Sequence, residues 1–582
     1  MIVLGISYTG DHDSSAALVR DGELIAAVEQ ERASRRKHDG AVPLDAIQRC
    51  LDLAGIGFGA LDAIALPDLP YRFGRDTYLA AMEWPLVLRL LREGRATWRH
   101  LVHRALAGAV ASTGLPLNVG MEGSVRDCLD AISARFGRLP PLRVYEHHRA
   151  HAAAVYLTSG AARAAVITCD GVGGPYTSVA WSAQGSRLHR INAELHPNSL
   201  GHFYEDITLH LGLGRFGEGK AMGLAPYGDP TVFAPRIRAL LGLDEARWHH
   251  YRSADLSDAL GFPPRSAEPI CSGPYADVAA AAQRALEESM LRIARSVAVP
   301  GQILCLGGGV TLNCSANGVL RRDGLATEVW AFPAAGDAGL SVGAALLASA
   351  DAGEHRQQRL PHAYLGACYT DTEIDAALDA EPRIVVQRSA DVATDVAALL
   401  AAGHVVGWFQ GRAEFGPRAL GNRSILADPR TTEMRDRVNR LKGRESWRPL
   451  APAVLLDHAA DYFELEGESP FMLFAVPVRA ERRGEVPAVV HADGSARAQT
   501  VSATQNPRFH ALLSAFERAT GLPVLINTSF NDEREPMVDS PADAVRCFIS
   551  CGLDALVLGD RIAMRRDLPP GGSAGADRPT VA

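Results

Sequence analysis

The phrase His147-His148-Arg149-Ala150-His151 sets two imidazoles four residues apart, and the Ala-Ala-Ala-Val-Tyr-Leu that follows is a good helix former. Positions i and i+4 share one helix face, so His147 and His151 can grip one ion together. Downstream, an apolar run ends in an acid and glycines, Thr168-Cys169-Asp170-Gly171-Val172-Gly173. Two imidazoles and a carboxylate leave open positions on an ion, as catalysis needs and a closed structural site does not. Asp337, in the tight Pro333-Ala334-Ala335-Gly336-Asp337-Ala338-Gly339, is a candidate further carboxylate. A lone His-x-x-x-His is more often a pair of solvated or satisfied histidines; the rest of the chain changes that balance. Two histidines with carboxylates suit iron, manganese or zinc.

Two further groups of residues could do chemistry. The run Ile303-Leu304-Cys305-Leu306 ends in Gly307-Gly308-Gly309, with Asn313 and Asn317 on a predicted helix just after it. Such a strand end lets backbone approach a ligand, and the next helix offers it free N–H groups. The C-terminal part concentrates cations in apolar or glycine-rich surroundings: Gly411–Ser424, Lys442–Glu445, Trp447-Arg448-Pro449 and His491–Thr500, with the buried-strand pattern Val524–Asn531. Arginine presents a fork matched to phosphate oxygens and lysine a point charge, so several converging would bind a small, multiply charged anion. Most arginines are solvated, but Arg418 in Gly-Pro-Arg-Ala-Leu-Gly and Arg448 in Trp-Arg-Pro-Leu are expected to be buried. A buried cation needs an anionic partner.

These residues need a scaffold. A chain of 582 residues is too long for one core, and 47% hydrophobic with 22% charged residues reads as a soluble globular protein. The net charge of −8 argues against a surface made for nucleic acid. The chain opens on a strand without a basic leader, and no run approaches the roughly 20 apolar residues of a membrane span, so a cytoplasmic location is expected. Nine cysteines without a CxxC pair read as reduced thiols, with Cys547 and Cys551 on one helix face in the core. Residues 2–31 read as strand, polar loop, strand, Asp21-Gly22 turn, strand, and residues 164–193 repeat the plan around a Gly185 turn. Duplicated units of this kind fit an α/β fold, the duplicated ribonuclease-H-like (ASKHA) architecture of actin-like ATPases. Residues 78–112 are predicted to be helical, either a pair capping the cleft or plain scaffold. A linker is placed at 351–362, dividing a domain over 1–355 from one over 363–568, and the 569–582 tail is predicted to be disordered.

Together these residues resemble the O-carbamoyltransferases of antibiotic and nodulation-factor tailoring. The motifs run from His12-Asp13-Ser14-Ser15, through Val28–Arg32 with Lys37-His38, the HHxAH phrase, Glu218–Gly228 and the triple glycine, to Gly416–Ser424, His491–Thr500 and Asn527–Asn531. The resemblance implies an actin-like first domain that binds ATP with Mg²⁺ and one transition metal, Fe²⁺ first and Mn²⁺ or Zn²⁺ as alternatives. It implies a YrdC-like α/β second domain for carbamoyl phosphate. Carbamate made there would be adenylated in the first domain, and an acceptor hydroxyl on a secondary metabolite or glycoside would displace AMP. Free carbamate decomposes in water, so a closed channel between the sites is expected. By the same resemblance His147, His151, Asp170 and Asp337 are the metal ligands. Lys220, Gly308, Gly309 and Asn313 meet the nucleotide. Arg418, Lys442, Arg448, Arg497, Ser529 and Asn531 meet carbamoyl phosphate, with His147, Lys442 and Arg448 also catalytic. His12 is proposed as acceptor-binding or general base. Residues 70–112 would line the acceptor pocket.

The chain departs from the family pattern at Gly173-Gly174, where Gly-Glu is usual, and at Asn531-Asp532-Glu533-Arg534-Glu535-Pro536, where Arg534 takes a glycine position. Three rivals stand beside this reading. A tRNA-modifying enzyme conflicts with the net charge of −8. A hydrogenase-maturation carbamoyltransferase would bring CxxC pairs. A non-catalytic ATP sensor needs no anion pocket. The partners expected are small molecules, with no nucleic acid and no membrane; a homodimer is left open.

Overall fold

The computed structural model describes residues 1–67 and 123–566, apart from 244–247, 250, 252–255, 267–269, 272 and 357. The segment expected to cap the cleft and the tail therefore lie outside the described residues, the tail wholly and the 70–112 segment likewise. The chain divides into two units. The first is Met1–Gly366 with Phe415–Pro417 and Leu473–Ala475; the second is Ala367–Glu414, Arg418–Met472 and Val476–Ala582.

The first unit is built on two five-stranded sheets of one design. In the first, Ile2–Ser7 (β1), Ser15–Arg20 (β2), Glu23–Glu29 (β3), Ala63–Pro67 (β4) and Leu142–Tyr145 (β5) lie in the order β3-β2-β1-β4-β5. In the second, Arg163–Gly173 (β6), Tyr176–Gln184 (β7), Arg187–Leu195 (β8), Ile303–Gly307 (β9) and Glu328–Ala331 (β10) lie in the order β10-β9-β6-β7-β8. Each is an antiparallel meander of three strands with two parallel strands added beside its first strand. The duplicated ribonuclease-H-like order of an actin-like domain is thus present strand for strand. The Asp21-Gly22 turn has φ of 51° and 79°. Both central residues are left-handed, as the tight hairpin's right-handed twist requires.

A helix of small residues, Leu340–Asp351, joins the halves. Ser15 Oγ donates to Ala338 O at its entry (2.7 Å) and lies 2.8 Å from Ser341 Oγ. A Cβ on Gly343 would fall 1.9 Å from Ala150 O, so only glycine lets this helix press against His147–Leu157. The core beside the first sheet is built by Leu4, Ile6, Leu18, Val28, Ile47 and Ile132, among others. Among the described residues no helix is long and apolar enough to cross a membrane.

The second unit carries an eight-stranded mixed sheet. Its strands are Ile384–Arg388 (β11), Val406–Phe409 (β12), Arg423–Ala427 (β13), Ala451–Leu455 (β14), Gln499–Val501 (β17), Val524–Ser529 (β18), Ala555–Leu558 (β19) and Arg561–Arg565 (β20), ordered β11-β20-β19-β12-β13-β18-β14-β17. Val476–Pro477 (β15) and Ser495–Ala496 (β16) form a separate short pair. Helices such as Thr432–Leu441 and Pro541–Cys551 make this an α/β domain. Cys547 and Cys551 are buried on the latter helix.

Candidate functional site

Glu146 starts the helix that carries the histidines. Its carboxylate accepts from the backbone N–H of His148 (2.9 Å) and Arg149 (2.7 Å), satisfying donors that a helix start leaves without partners. The helix His147–Leu157 then presents His147 and His151 on one face, both buried. Strand β6 brings Asp170, and the turn Asp337–Gly339 brings Asp337. His151 Nε2 lies 3.1 Å from His147 Nε2, 2.9 Å from Asp170 Oδ2 and 3.5 Å from Asp337 Oδ1. His147 Nε2 lies 3.6 and 3.8 Å from the same two oxygens. One ligand atom from each of the four sits within 4.8 Å of the others.

This donor set fits a divalent transition ion. Ligands about 2.1 Å from one ion stand about 3 to 3.5 Å from each other, which is close to the spacing seen. Burial works to raise the Asp170 pKa, but the hydrogen bonds and charges of His151 and His147 hold it well below the usual carboxylate range. Gly173 is required here: a Cβ on it would lie 2.2 Å from His147 Cδ2 and displace the ring. The Gly173-Gly174 departure thus keeps the residue that His147 needs. His148, the middle histidine, faces away, with Nδ1 3.0 Å from Thr168 Oγ1, and burial pushes its pKa down.

The glycine run after β9 presses on the same place. A Cβ on Gly308 would meet Cys169 O at 2.3 Å, and one on Gly309 would meet Asp170 Oδ1 at 3.0 Å. Asn313 stands at the end of this run, where the next helix begins. It is the N-cap of Cys314–Asp323, accepting from Ala316 N at 3.0 Å, and its amide exchanges hydrogen bonds with Gln283. Its side chain is committed to holding the helix start. Lys220 is half-exposed on the short helix Glu218–Leu224.

His12 lies in the loop after β1. Its Nδ1 is 3.3 Å from Asp13 Oδ2. Burial opposes its charge, but the Asp13 hydrogen bond and the fields of Asp337, Asp13 and Asp11 raise its pKa to about 9. A pKa raised in this direction favours the protonated ring, which suits a hydrogen-bond donor or fixed cation.

In the second unit, Lys442 ends the helix Thr432–Leu441 and is 1% exposed. Its Nζ donates to Asn531 O (2.8 Å), Asn531 Oδ1 (3.0 Å), Ser529 O and, at 3.5 Å, Ser529 Oγ. The ammonium is thus spent on fixing the end of β18, and burial followed by the charge of Arg444 pushes its pKa well down. Arg444, absent from the expected site, takes the presenting position. Its guanidinium reaches Thr528 Oγ1 (3.3 Å) and Ser529 Oγ (3.4 Å), and burial with the like charges of Arg448 and Arg497 lowers its pKa to about 9. The signal was its place two residues after a buried lysine at a helix end. Arg448 is half-buried, with Glu445 and Glu533 no nearer than 3.7 and 3.8 Å. Arg497 is half-buried beside it.

The expected burial of Arg418 is corrected: it is only partly buried, as is Arg448, and the enclosed arginine of its motif is Arg423, 0% exposed. Arg423 donates to the carbonyls of Gln410 and Ala367 and stacks 3.6 Å over the Phe409 ring. Main-chain carbonyls and a ring face can serve where a carboxylate was expected. Arg534 sits in a turn whose N–H Asp532 accepts at 2.8 Å, with no left-handed backbone, so it needs no glycine.

The chain thus carries a buried constellation of imidazoles and carboxylates in its actin-like first unit and a group of crowded, partly buried cations in its second. The carbamoyltransferase N-terminal family model matches residues 2–346 and its C-terminal counterpart residues 397–565. The chain belongs to the carbamoyltransferase family. It is 39% identical to an uncharacterized protein of Synechocystis over 97% of each chain. It is 37% identical to nodulation protein NolNO of Sinorhizobium fredii, over 97% of this chain and 81% of the relative. A 3'-hydroxymethylcephem-O-carbamoyltransferase of Streptomyces clavuligerus is 35% identical over 59% of this chain and 64% of its own.

Proposed function

We propose that this protein is an ATP-dependent O-carbamoyltransferase acting on a hydroxyl of a secondary metabolite or glycoside. The observation that carries the reading is the cluster of Arg444, Arg448 and Arg497 in a chain of this family. Like charges gathered in partial burial repel, and they persist where a multiply charged anion offsets them. Carbamoyl phosphate is such an anion. Arg444, Arg448 and Arg497 would grip its phosphoryl oxygens, and Ser529 and Thr528 lie at hand for its remaining polar atoms.

Water releases phosphate from carbamoyl phosphate and leaves carbamate. Carbamate oxygen attacks the α-phosphorus of ATP, giving carbamoyl-adenylate and pyrophosphate. The acceptor hydroxyl oxygen then attacks the carbamoyl carbon; AMP leaves and the hydroxyl proton is lost. A divalent ion held by His147, His151, Asp170 and Asp337 would supply Lewis-acid polarisation to this last exchange. Gly309 lies against Asp170, and the glycine run would let the nucleotide approach the backbone beside it. His12, carrying a proton, would face the departing negative charge.

The test uses purified full-length protein with carbamoyl phosphate, ATP, Mg²⁺ and anaerobic Fe²⁺, without acceptor. Pyrophosphate release that depends on carbamoyl phosphate, together with a carbamoyl-AMP mass, is expected. If neither appears and calorimetry detects no carbamoyl phosphate binding, the reading is wrong.

A further inference from the structure

Three of the six non-glycine residues with positive φ among the described residues meet at one place in the first unit: Asp13 (52°), His38 (54°) and Phe216 (62°). Left-handed backbone costs roughly 1 kcal/mol or more for such residues and persists where the surroundings fix it, often beside a working group. Here the surroundings form a hydrogen-bonded row. His38 Nδ1 lies 2.9 Å from Asp13 Oδ1, and the other carboxylate oxygen lies 3.3 Å from His12 Nδ1. The His38 ring stacks on Phe216 (centroids 4.1 Å, 17°), and His12 meets the same ring edge-on at 5.3 Å.

Each end of the row is itself pinned. The His38 backbone N–H donates to Glu31 Oε2 at 2.8 Å. Thr9 Oγ1 accepts from His12 N (3.1 Å) and donates to His12 O (2.8 Å). Arg215, beside Phe216, donates to Asp11 Oδ1 at 3.1 Å. Asp13, Glu31 and His38 also bring one ligand atom each within 4.8 Å of one another. These hydrogen bonds account for that cluster without an ion.

We propose that Asp13 and His38 are positioning residues: His38, seated on Phe216, clamps the Asp13 carboxylate, and Asp13 orients the His12 imidazole so that Nε2 is the nitrogen that meets substrate. What His12 is positioned to do rests on the carbamoyl-transfer reading; the row itself rests on geometry. A carboxylate that fixes the tautomer and direction of a histidine by binding Nδ1 is a recurring arrangement. The groups facing the pair are Asp11 on its own loop, Asp337, Glu29 and Glu31 before the His38 segment, and Arg215 and Glu218 from the segment that carries Phe216. The net negative surroundings favour the His12 cation.

Diethyl pyrocarbonate acylates only neutral imidazole, so the pH at which the His12 peptide becomes labelled, read by mass spectrometry, reports the row directly. In wild type the midpoint is expected above the ordinary imidazole value, and in Asp13→Asn, which loses the carboxylate 3.3 Å from His12 Nδ1, it should fall by at least one pH unit. His38→Leu should lower it by a smaller amount, and His38→Gln, which can still donate to Asp13, should restore much of it. In carbamoyl-AMP turnover, Asp13→Asn should lower kcat at least tenfold with KM for ATP and carbamoyl phosphate within twofold. An unchanged labelling midpoint in both Asp13→Asn and His38→Leu, with native circular dichroism, would overturn the proposal, as would a change confined to KM. If Asp13→Asn does not fold, His38→Leu decides. If wild type shows no carbamoyl-dependent turnover at all, the functional reading fails while the labelling midpoints still decide the row.

Discussion

Arg444 is the residue at which stability and function pull apart. It stands beside Arg448 and Arg497, and burial with those like charges lowers its pKa to about 9. A cation in that company destabilises the unliganded fold, so replacing it with an apolar side chain of similar length should relieve repulsion. Arg444→Met is expected to melt at the same temperature or higher, by up to about 1 kcal/mol. It should bind carbamoyl phosphate about 30-fold more weakly, the loss of roughly 2 kcal/mol of charge-assisted hydrogen bonding. Calorimetric titration beside a thermal melt checks both; a lower melting temperature with unchanged affinity would make Arg444 a structural residue. The imidazole–carboxylate cluster makes the opposite demand. His151→Ala removes the nitrogen closest to Asp170, leaving a buried carboxylate with half its counter-charge. Iron bound per chain, measured after anaerobic loading, should fall at least tenfold, and acceptor carbamoylation at least a hundredfold. Retention of stoichiometric metal in that variant would remove His151 from the ligand set. His12 adds a pH dependence. Its pKa is raised from 6.5 to about 9, so its contribution to stability is full below pH 6.5 and lost as pH rises through 9. Wild type should therefore lose stability to denaturant between those values by more than His12→Gln does.

At the scale of the element, what holds the histidines is a helix start. Glu146 caps the first turn of His147–Leu157 through two backbone N–H groups. Losing such a cap costs about 1 kcal/mol, but it acts on the turn that carries His147. Glu146→Ala is expected to lower stability by about that amount and metal affinity by a larger factor than the same destabilisation placed at the helix's C-terminal end, for example at Thr158, whose hydroxyl returns to Ala154 O. Equal effects on metal from both ends would show that the cap has no special hold on the site. The sequence made the elements themselves readable because each carries a short-range signal: the Asp21-Gly22 turn, the apolar strands, and the four-residue spacing of the histidines. Their registers and order needed the fold, since β1 beside β4 and β6 beside β9 are pairings across long stretches of chain. The site was legible where a residue type is scarce and chemically pointed, as with His147, His151 and Asp170. It was illegible where a common residue gains its role from neighbours brought by other strands. Arg444 depends on Thr528 and Ser529 of β18, Asn313 on Gln283 of a distant helix, and the positioning of His12 on His38 and Phe216. Arg418 was misjudged for the same reason: local rigidity suggested enclosure, but the fold enclosed Arg423 instead.

For the whole molecule, the imidazole–carboxylate cluster belongs to one unit and the crowded cations to the other. Under the proposed reaction this divides the chemistry at carbamate: the second unit makes it and the first consumes it with ATP. The two kinds of variant should then respond oppositely to carbamate supplied from outside. Ammonium carbamate at high concentration, freshly dissolved, should restore pyrophosphate release and carbamoyl-AMP formation to Arg444→Met and Arg497→Met, because what those variants lack is the supply. It should restore no acceptor carbamoylation to His151→Ala, whose defect lies after adenylation. Conversely, His151→Ala should still release phosphate from carbamoyl phosphate, and Arg444→Met should do so at least tenfold more slowly at subsaturating substrate. Failure of carbamate to rescue either cation variant, with wild type active under the same conditions, would mean that the cation cluster serves adenylation as well as supply, and the division of labour between the units would have to be redrawn at ATP.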